Sequence, residues 1–255
     1  MREYLERSYR DWMRPASLRR FEVRVCESDL LVLCDEDLER LAREELHRVR
    51  SQIEAHIDAD PDFLTSLVPR AVPDDAPEIV RSMAAAGAAW DVGPMAAVAG
   101  AIAEAVGRRL LEECKTVMVE NGGDVFARSD RPVRIRLYAG EDSPFTDRID
   151  FSVDARDGMG ICTSSGRIGP SLSFGRADAL VAITSDAALA DAAATSLANR
   201  IQGPGDVEPV VDLVRRDGRL AGTLACAGDR IGVWGEVELI ANDINRFDGH
   251  PSRSE

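Results

Sequence analysis

Asp191 and Thr195 stand four residues apart in A-D-A-A-A-T-S-L-A-N, residues 190–199, so a helix stacks a carboxylate and a hydroxyl on one face. Oxygen atoms presented this way suit a hard divalent cation such as Mg2+. The alanines around them leave room for another backbone or a ligand to approach closely. Leu189, Leu197 and Ile201 gather on a different side of the same helical wheel, the ordinary core stripe. The competing reading is that Asp191 faces water and Thr195 hydrogen-bonds a carbonyl one turn earlier.

Two further segments share this small, oxygen-rich character. Asp91, Val92, Gly93 and Pro94 precede a stretch in which Met95, Val98, Ile102 and Val106 form an apolar stripe, while Ala96, Gly100, Ala103 and Gly107 line another side with little bulk. Asn121, Gly122, Gly123 and Asp124 make a tight turn between extended segments. Glycines there let main-chain N–H groups reach phosphate oxygens, and they equally satisfy a sheet turn that needs positive φ. A serine- and glycine-rich loop over residues 164–175 carries Ser164, Ser165 and Gly166, with Arg167 and Arg176 as cations. Cys162, just before it, is either an exposed thiolate and a candidate catalytic group or a buried strand cysteine.

Composition excludes several classes of function. A formal net charge of -14, with no lysine–arginine run interleaved with aromatics, argues against nucleic acid as a partner. No window approaches about 18 uninterrupted apolar residues and the first twenty lack a secretory core, so a soluble, cytoplasmic chain without a membrane partner is expected. Five cysteines without C-x-x-C spacing do not make a disulfide framework, and the three histidines do not make a zinc set. None of the histidines lies in the candidate segments, which leaves no Ser-His-Asp or Cys-His hydrolase arrangement.

The elements that must position these residues follow from periodicity. Alternation over residues 21–25 and 30–34 predicts a hairpin, and apolar residues at helical spacing predict a helix capped by Asp35 and running to about Ile57. Prolines between 58 and 77 break regular structure, apart from a short helical turn near Phe63. A helix over 76–86 is expected to end at Gly87, and another to run from Pro94 to about Glu113. Strands are predicted over 116–120, 125–126, 133–138, 148–153, 160–163 and 178–184. The Asp191 helix follows, capped by Ser185 and closed by Gly203. Residues 206–213 are ambiguous, and 214–216, 220–225, 231–234 and 237–240 read as strands, with a turn at Asp217 and Gly218.

The motifs W-D-V-G-P-M-A-A-V-A-G, E-N-G-G-D, G-I-C-T-S-S-G and A-D-A-A-A-T occur in this chain in that order. In that order they resemble the ApbE flavin-transferase superfamily, over roughly residues 21–240. The resemblance implies an α+β fold of antiparallel sheets packed with long helices, T-fold-like, with residues 1–241 as one domain and 242–255 as a polar tail. It implies that Asp191, Thr195 and the Pro94 carbonyl hold Mg2+ beside the pyrophosphate of FAD. Asp91, Gly93, Asn121, Gly122, Gly123, Asp124, Ser164, Ser165, Gly166, Arg167 and Arg176 would then line the site of FAD, FMN or another small phosphorylated ligand. Ala97 stands about where the family carries a lysine, and no histidine lies between Gly166 and Asp178. Both departures weaken the case for FMN transfer itself; the chain resembles a cytoplasmic branch of the superfamily lacking those two groups, and on that resemblance it would be at most a degenerate flavin transferase-like enzyme. That branch also carries an association with sulfur assimilation and homocysteine formation, so an accessory, sulfur-handling role on the same fold is the alternative. The Ala- and Gly-rich helix faces could equally serve a contact between copies of the chain.

Overall fold

The computed structural model describes Arg10 and residues 18–146, 148–166 and 174–241. β1 (Arg19–Val25) and β2 (Ser28–Cys34) form the expected hairpin, and α1 (Glu39–Ala59) and the short α2 (Asp62–Thr65) follow. α3 (Glu78–Trp90) leads through a 3-10 turn over Pro94–Ala97 into α4 (Val98–Leu110). The middle of the chain is extended: β3 (Val117–Asn121), β4 (Asp124–Arg128), β5 (Val133–Arg136), β6 (Ile149–Val153), β7 (Met159–Ser164) and β8 (Ala179–Thr184). Then come α5 (Ala187–Ala198), α6 (Val207–Asp217), β9 (Gly222–Ala227), β10 (Arg230–Gly235) and β11 (Glu238–Ala241).

Eight strands pair antiparallel in the order β1-β2-β3-β4-β7-β8-β9-β10, and β11, β6 and β5 form a second antiparallel sheet. Period-2 alternation along the large sheet sorts its side chains to two cores. Val119, Phe126, Cys162, Leu180, Ala182 and Ala225 pack under the helices, whereas Val125, Ala127, Ile161, Val181, Ile183 and Leu224 pack against Phe151, Val153 and Leu137 of the small-sheet side. β8 and β9 are buried on both faces, so they read as unbroken apolar runs instead of alternating ones. Among the described residues no single helix is long and apolar enough to cross a membrane.

Several expected boundaries differ for identifiable reasons. Asp35 does not cap α1, whose N-cap is Leu38; its carboxylate accepts from the Lys115 and Thr116 N–H groups at 3.2 and 3.1 Å, tying the β2–α1 loop to the start of β3. α3 runs past Gly87 and ends where Asp91 adopts φ 55°. Gly87 is needed inside the helix, because a Cβ there would meet the Val92 carbonyl oxygen at 2.8 Å. Asp186, not Ser185, caps α5 by accepting from the Leu189 N–H at 2.8 Å, and the helix ends at Ala198, well before Gly203. Residues 214–216 are the last turn of α6, not a strand. Val207, Val210, Val211 and Val214 are its buried stripe at helical spacing, and Gly218 at φ 75° closes it. A run of β-branched valines disfavours helix by propensity, and here burial of the amphipathic face outweighs that preference.

α5 is the hub of the helical layer, touching α3, α4, β7 and β8. Nine of its twelve residues are buried, seven of them alanine, and the short side chains bring its backbone against its neighbours. Gly160 of β7 completes that approach, since a Cβ there would sit 2.3 Å from the Ala187 Cα. Gly160→Ala is therefore expected to destabilise the fold by about 1–3 kcal/mol through overpacking. Gly203→Ala, at a position with nothing within 4 Å of an added Cβ, is expected to stay within about 0.5 kcal/mol of the parent. Urea denaturation midpoints at equal m-value separate the two outcomes.

Candidate functional site

The Asp191 helix meets the other two motif segments directly. Gly100, in the first turn of α4, donates its N–H to Asp191 Oδ2 at 2.9 Å. The helices touch closely there, because a Cβ on Gly100 would lie 2.1 Å from the Ala187 carbonyl oxygen and 2.9 Å from the Asp191 Cβ. The Asn121 side-chain amide donates to the Ala99 carbonyl at 3.2 Å, which fastens the glycine turn to the same end of α4. Asp124, the first residue after that turn, is buried and accepts from the Thr163 N–H at 3.2 Å. Cys162 is fully buried between them, its thiol 3.3 Å from the Ala187 carbonyl oxygen and also hydrogen-bonded to the Asp124 carboxylate. Pro94 is buried at the start of the 3-10 turn, which packs on α5.

Two carboxylates thus lie within electrostatic reach of each other. Burial pushes Asp124 well above the usual carboxylate range, the nearby Asp191 charge pushes further, and Glu120 adds to it; the Thr163 N–H and the Cys162 thiol pull the other way. Burial also raises Asp191, to about 7, against the opposing N–H donors of Gly100 and Ala99. Asp191 is half-buried as a residue, whereas Asp124 is buried. Groups this close lose their protons in steps that belong to the pair. Burial beside the same two carboxylates drives the Cys162 thiol up as well, which keeps it protonated.

The remaining expected residues divide in two. Gly122 and Gly123 adopt φ of 72° and 103°, as a tight sheet turn demands, and the Gly123 N–H donates to Glu120 Oε1 at 2.9 Å. Gly93 is buried against the α2–α3 connection, where a Cβ would meet the Ser66 carbonyl oxygen at 1.8 Å, so its lack of a side chain serves packing. Asp91 is exposed. Ser164 and Ser165 are half-buried beyond Cys162. Gly166 abuts Gly175, with an added Cβ 2.2 Å from the Gly175 carbonyl oxygen, and Gly175 in turn abuts Ala198 at the C-terminal end of α5. Arg176 is exposed, and its N–H donates to the Ile201 carbonyl at 2.7 Å past that same end. Gly166, Gly175 and Arg176 thus lie toward the end of α5 far from Ala187. Arg167 lies outside the described residues.

Several contributors are absent from the sequence-level expectation. Glu104 of α4 accepts from the Ala187 N–H at 2.5 Å and, with Asp186, occupies the N-terminal donors of α5; burial is the largest influence on Glu104 and raises it. Its position four residues before Arg108 reads from sequence as an ordinary helical ion pair, and that pair also exists. Thr163, Gly100 and Glu120 sit inside the quoted motifs but carry no separate chemical signal. Among the described residues no three His, Cys, Asp or Glu side chains gather as a metal-binding group, so a cation here would also draw on hydroxyl, main-chain and solvent oxygens.

The large antiparallel sheet with this helical layer is the fold of known flavin transferases. The chain aligns with the apo flavinyl transferase ApbE of Pseudomonas stutzeri at TM-score 0.58 and 16% identity, covering 85% of this chain and 93% of that one. Flavin transferase ApbE from Vibrio cholerae, as its H257G mutant, gives 0.56 and 12% over 86% and 97%. Family membership follows from the sequence match: the model described as AbpE bacteria matches residues 10–217, and the chain belongs to that family. It is 40% identical over 216 residues to a UPF0280 protein of Methanocella arvoryzae, covering 84% of this chain and 87% of the relative. A UPF0280 protein of Methanocaldococcus jannaschii is 39% identical over 221 residues, covering 84% and 89%. The order of the motifs is therefore a sound guide to both family and fold.

The upward shift of Asp191 has a definite pH consequence. Its folded pKa of about 7 exceeds an unfolded value of about 3.9, so the native state binds more protons between those limits and stability falls as pH rises through that window. In EDTA-treated protein, Asp191→Asn is expected to flatten this decline and to raise the urea midpoint at pH 8 relative to the parent. Parallel pH–stability curves for the two proteins would show that Asp191 titrates normally.

Proposed function

We propose that this protein binds a phosphorylated ligand of the flavin-nucleotide type through Mg2+ held at the Asp191–Asp124 site. The observation that carries the reading is the carboxylate pair: two acids held together in low dielectric, stabilised by neutral donors and opposed by a third acid. Such a pair gains from a hard cation, whose charge offsets the burial that raises both acids and the repulsion Asp124 feels from Asp191. The donor set fits. Asp191 and Thr195 share a face of α5, Pro94 opens the adjoining turn, and Asp124 faces Asp191 from the sheet. When bound, Mg2+ supplies positive charge that offsets a diphosphate.

The chain's own residues supply orientation. Gly100 holds one Asp191 oxygen, Thr163 holds one Asp124 oxygen, and Asn121 ties the glycine turn to α4. The proposal stops short of FMN transfer. Ala97 brings no cation to the start of α4, and losing a lysine and a histidine from a phosphoryl-transfer site removes charge stabilisation worth orders of magnitude in rate. No observation favours a sulfur-handling role, because Cys162 is wholly buried.

Calorimetry with FAD, FMN and ADP, each with Mg2+ or with EDTA, tests the reading on native protein and on Asp191→Ala. Binding of at least one diphosphate probe is expected to require Mg2+ and to weaken on the order of tenfold or more in the variant. Equal affinity in EDTA, or an unaffected Asp191→Ala protein, would defeat it.

A further inference from the structure

The glycine turn that carries Asp124 is held from behind by a residue far away in sequence. Along β3, Val119 and Asn121 face the helices, so Glu120 points to the opposite face of the sheet. Along β2, Leu30 packs in the helical core, which sends Asp29 to that same opposite face. Arg10 lies over both. Its Nε donates to Glu120 Oε2 at 2.6 Å, one terminal nitrogen donates to Asp29 Oδ1 at 2.9 Å, and the other to the Asp29 main-chain carbonyl at 2.7 Å. The three side chains are only 5%, 1% and 2% exposed, so this is a buried ion network and not a surface pair. Arg24 adds a more exposed contact to Asp29 at 3.2 Å.

Glu120 links the network to the site. One of its oxygens receives Arg10 while the other receives the Gly123 N–H at 2.9 Å. We propose that Arg10 is a positioning residue of the candidate site: by fixing Glu120 it sets the conformation of the Asn121–Asp124 turn and so the placement of Asp124 beside Asp191. It has a second effect through charge. Glu120 lies close enough to Asp124 for its negative charge to be felt there, and the Arg10 guanidinium balances that charge from the far side. A planar fork that spans two acids and a carbonyl suits this work, and a lysine offers only a point charge.

The effect on the turn is independent of any ligand, whereas the effect on binding rests on the function proposed above. The test uses the full chain as Arg10→Met, Arg10→Lys and Arg10→Met/Glu120→Gln. It reads the Gly123 amide by nitrogen-15 NMR, its hydrogen exchange, the urea midpoint and Mg2+-dependent FAD affinity. In Arg10→Met the Gly123 amide is expected to shift and exchange at least tenfold faster, and FAD affinity to fall about tenfold, the scale of losing an outer-shell partner. The double variant is expected to recover the Gly123 amide and part of the midpoint, because Glu120→Gln keeps an acceptor for that amide and removes the unpaired charge at that position, while Asp29 retains its contact with Arg24. Arg10→Lys is expected between the two and serves in place of Arg10→Met if that variant does not fold.

An unchanged Gly123 amide in a folded Arg10 variant overturns the proposal, as does a double variant no better than Arg10→Met. If Gly123 responds as expected but native protein binds none of the probes, Arg10 keeps its role in the turn and the proposed function fails alone.

Discussion

Close backbone contact around Ala187 is the constraint on which the rest of the molecule depends. Gly100 of α4, Gly160 of β7 and the alanines of α5 let three backbones meet where larger residues would hold them apart. That contact presents the Gly100 N–H to Asp191 and lays Cys162 against the first residue of the helix. It also brings Asp191 to Asp124, two acids from segments 67 positions apart (191 minus 124), into one electrostatic environment. Small residues are thus a geometric requirement of the site as well as of the core.

The charges of this acidic chain are distributed unevenly. Most carboxylates that interact with arginine do so at the surface, where an ion pair contributes little. Arg10, Asp29 and Glu120 form a buried network on the face of the sheet away from the helices. Asp124 and Asp191, on the helical face, receive hydrogen bonds from Thr163, Cys162, Gly100 and Ala99, none of which carries positive charge. Neutral donors partly compensate a buried carboxylate but do not cancel its charge. The difference between the two faces is what supports the cation site proposed at the second cluster.

Much of this was legible in sequence. Hairpins, the α5 helix and the glycine turn follow from local period and turn chemistry, and the order of four motifs specified family and fold. What stayed hidden was long-range. Asp35 looks like a cap until β3 is brought beside it, and residues 214–216 look extended until the valine stripe of α6 finds its sheet. Asp191 and Asp124 are each readable as polar motif residues, but their mutual influence exists only once α4 and α5 touch. Arg10 carries no local signal at all, since its partners lie 19 and 110 residues away. Gly166 and Arg176 of the expected site are anchored near the other end of α5, which sequence order alone does not reveal.

The most direct test of the cation site proposed at the Asp124–Asp191 pair is the proton balance of Mg2+ binding. Calorimetric titration of Mg2+ into the protein with FAD present, at pH 6.5 in two buffers of different ionisation enthalpy, measures it. Net proton release that diminishes in Asp191→Asn is the expected result, because coordination requires the deprotonated acids. Mg2+ binding with identical apparent enthalpy in both buffers would contradict the account.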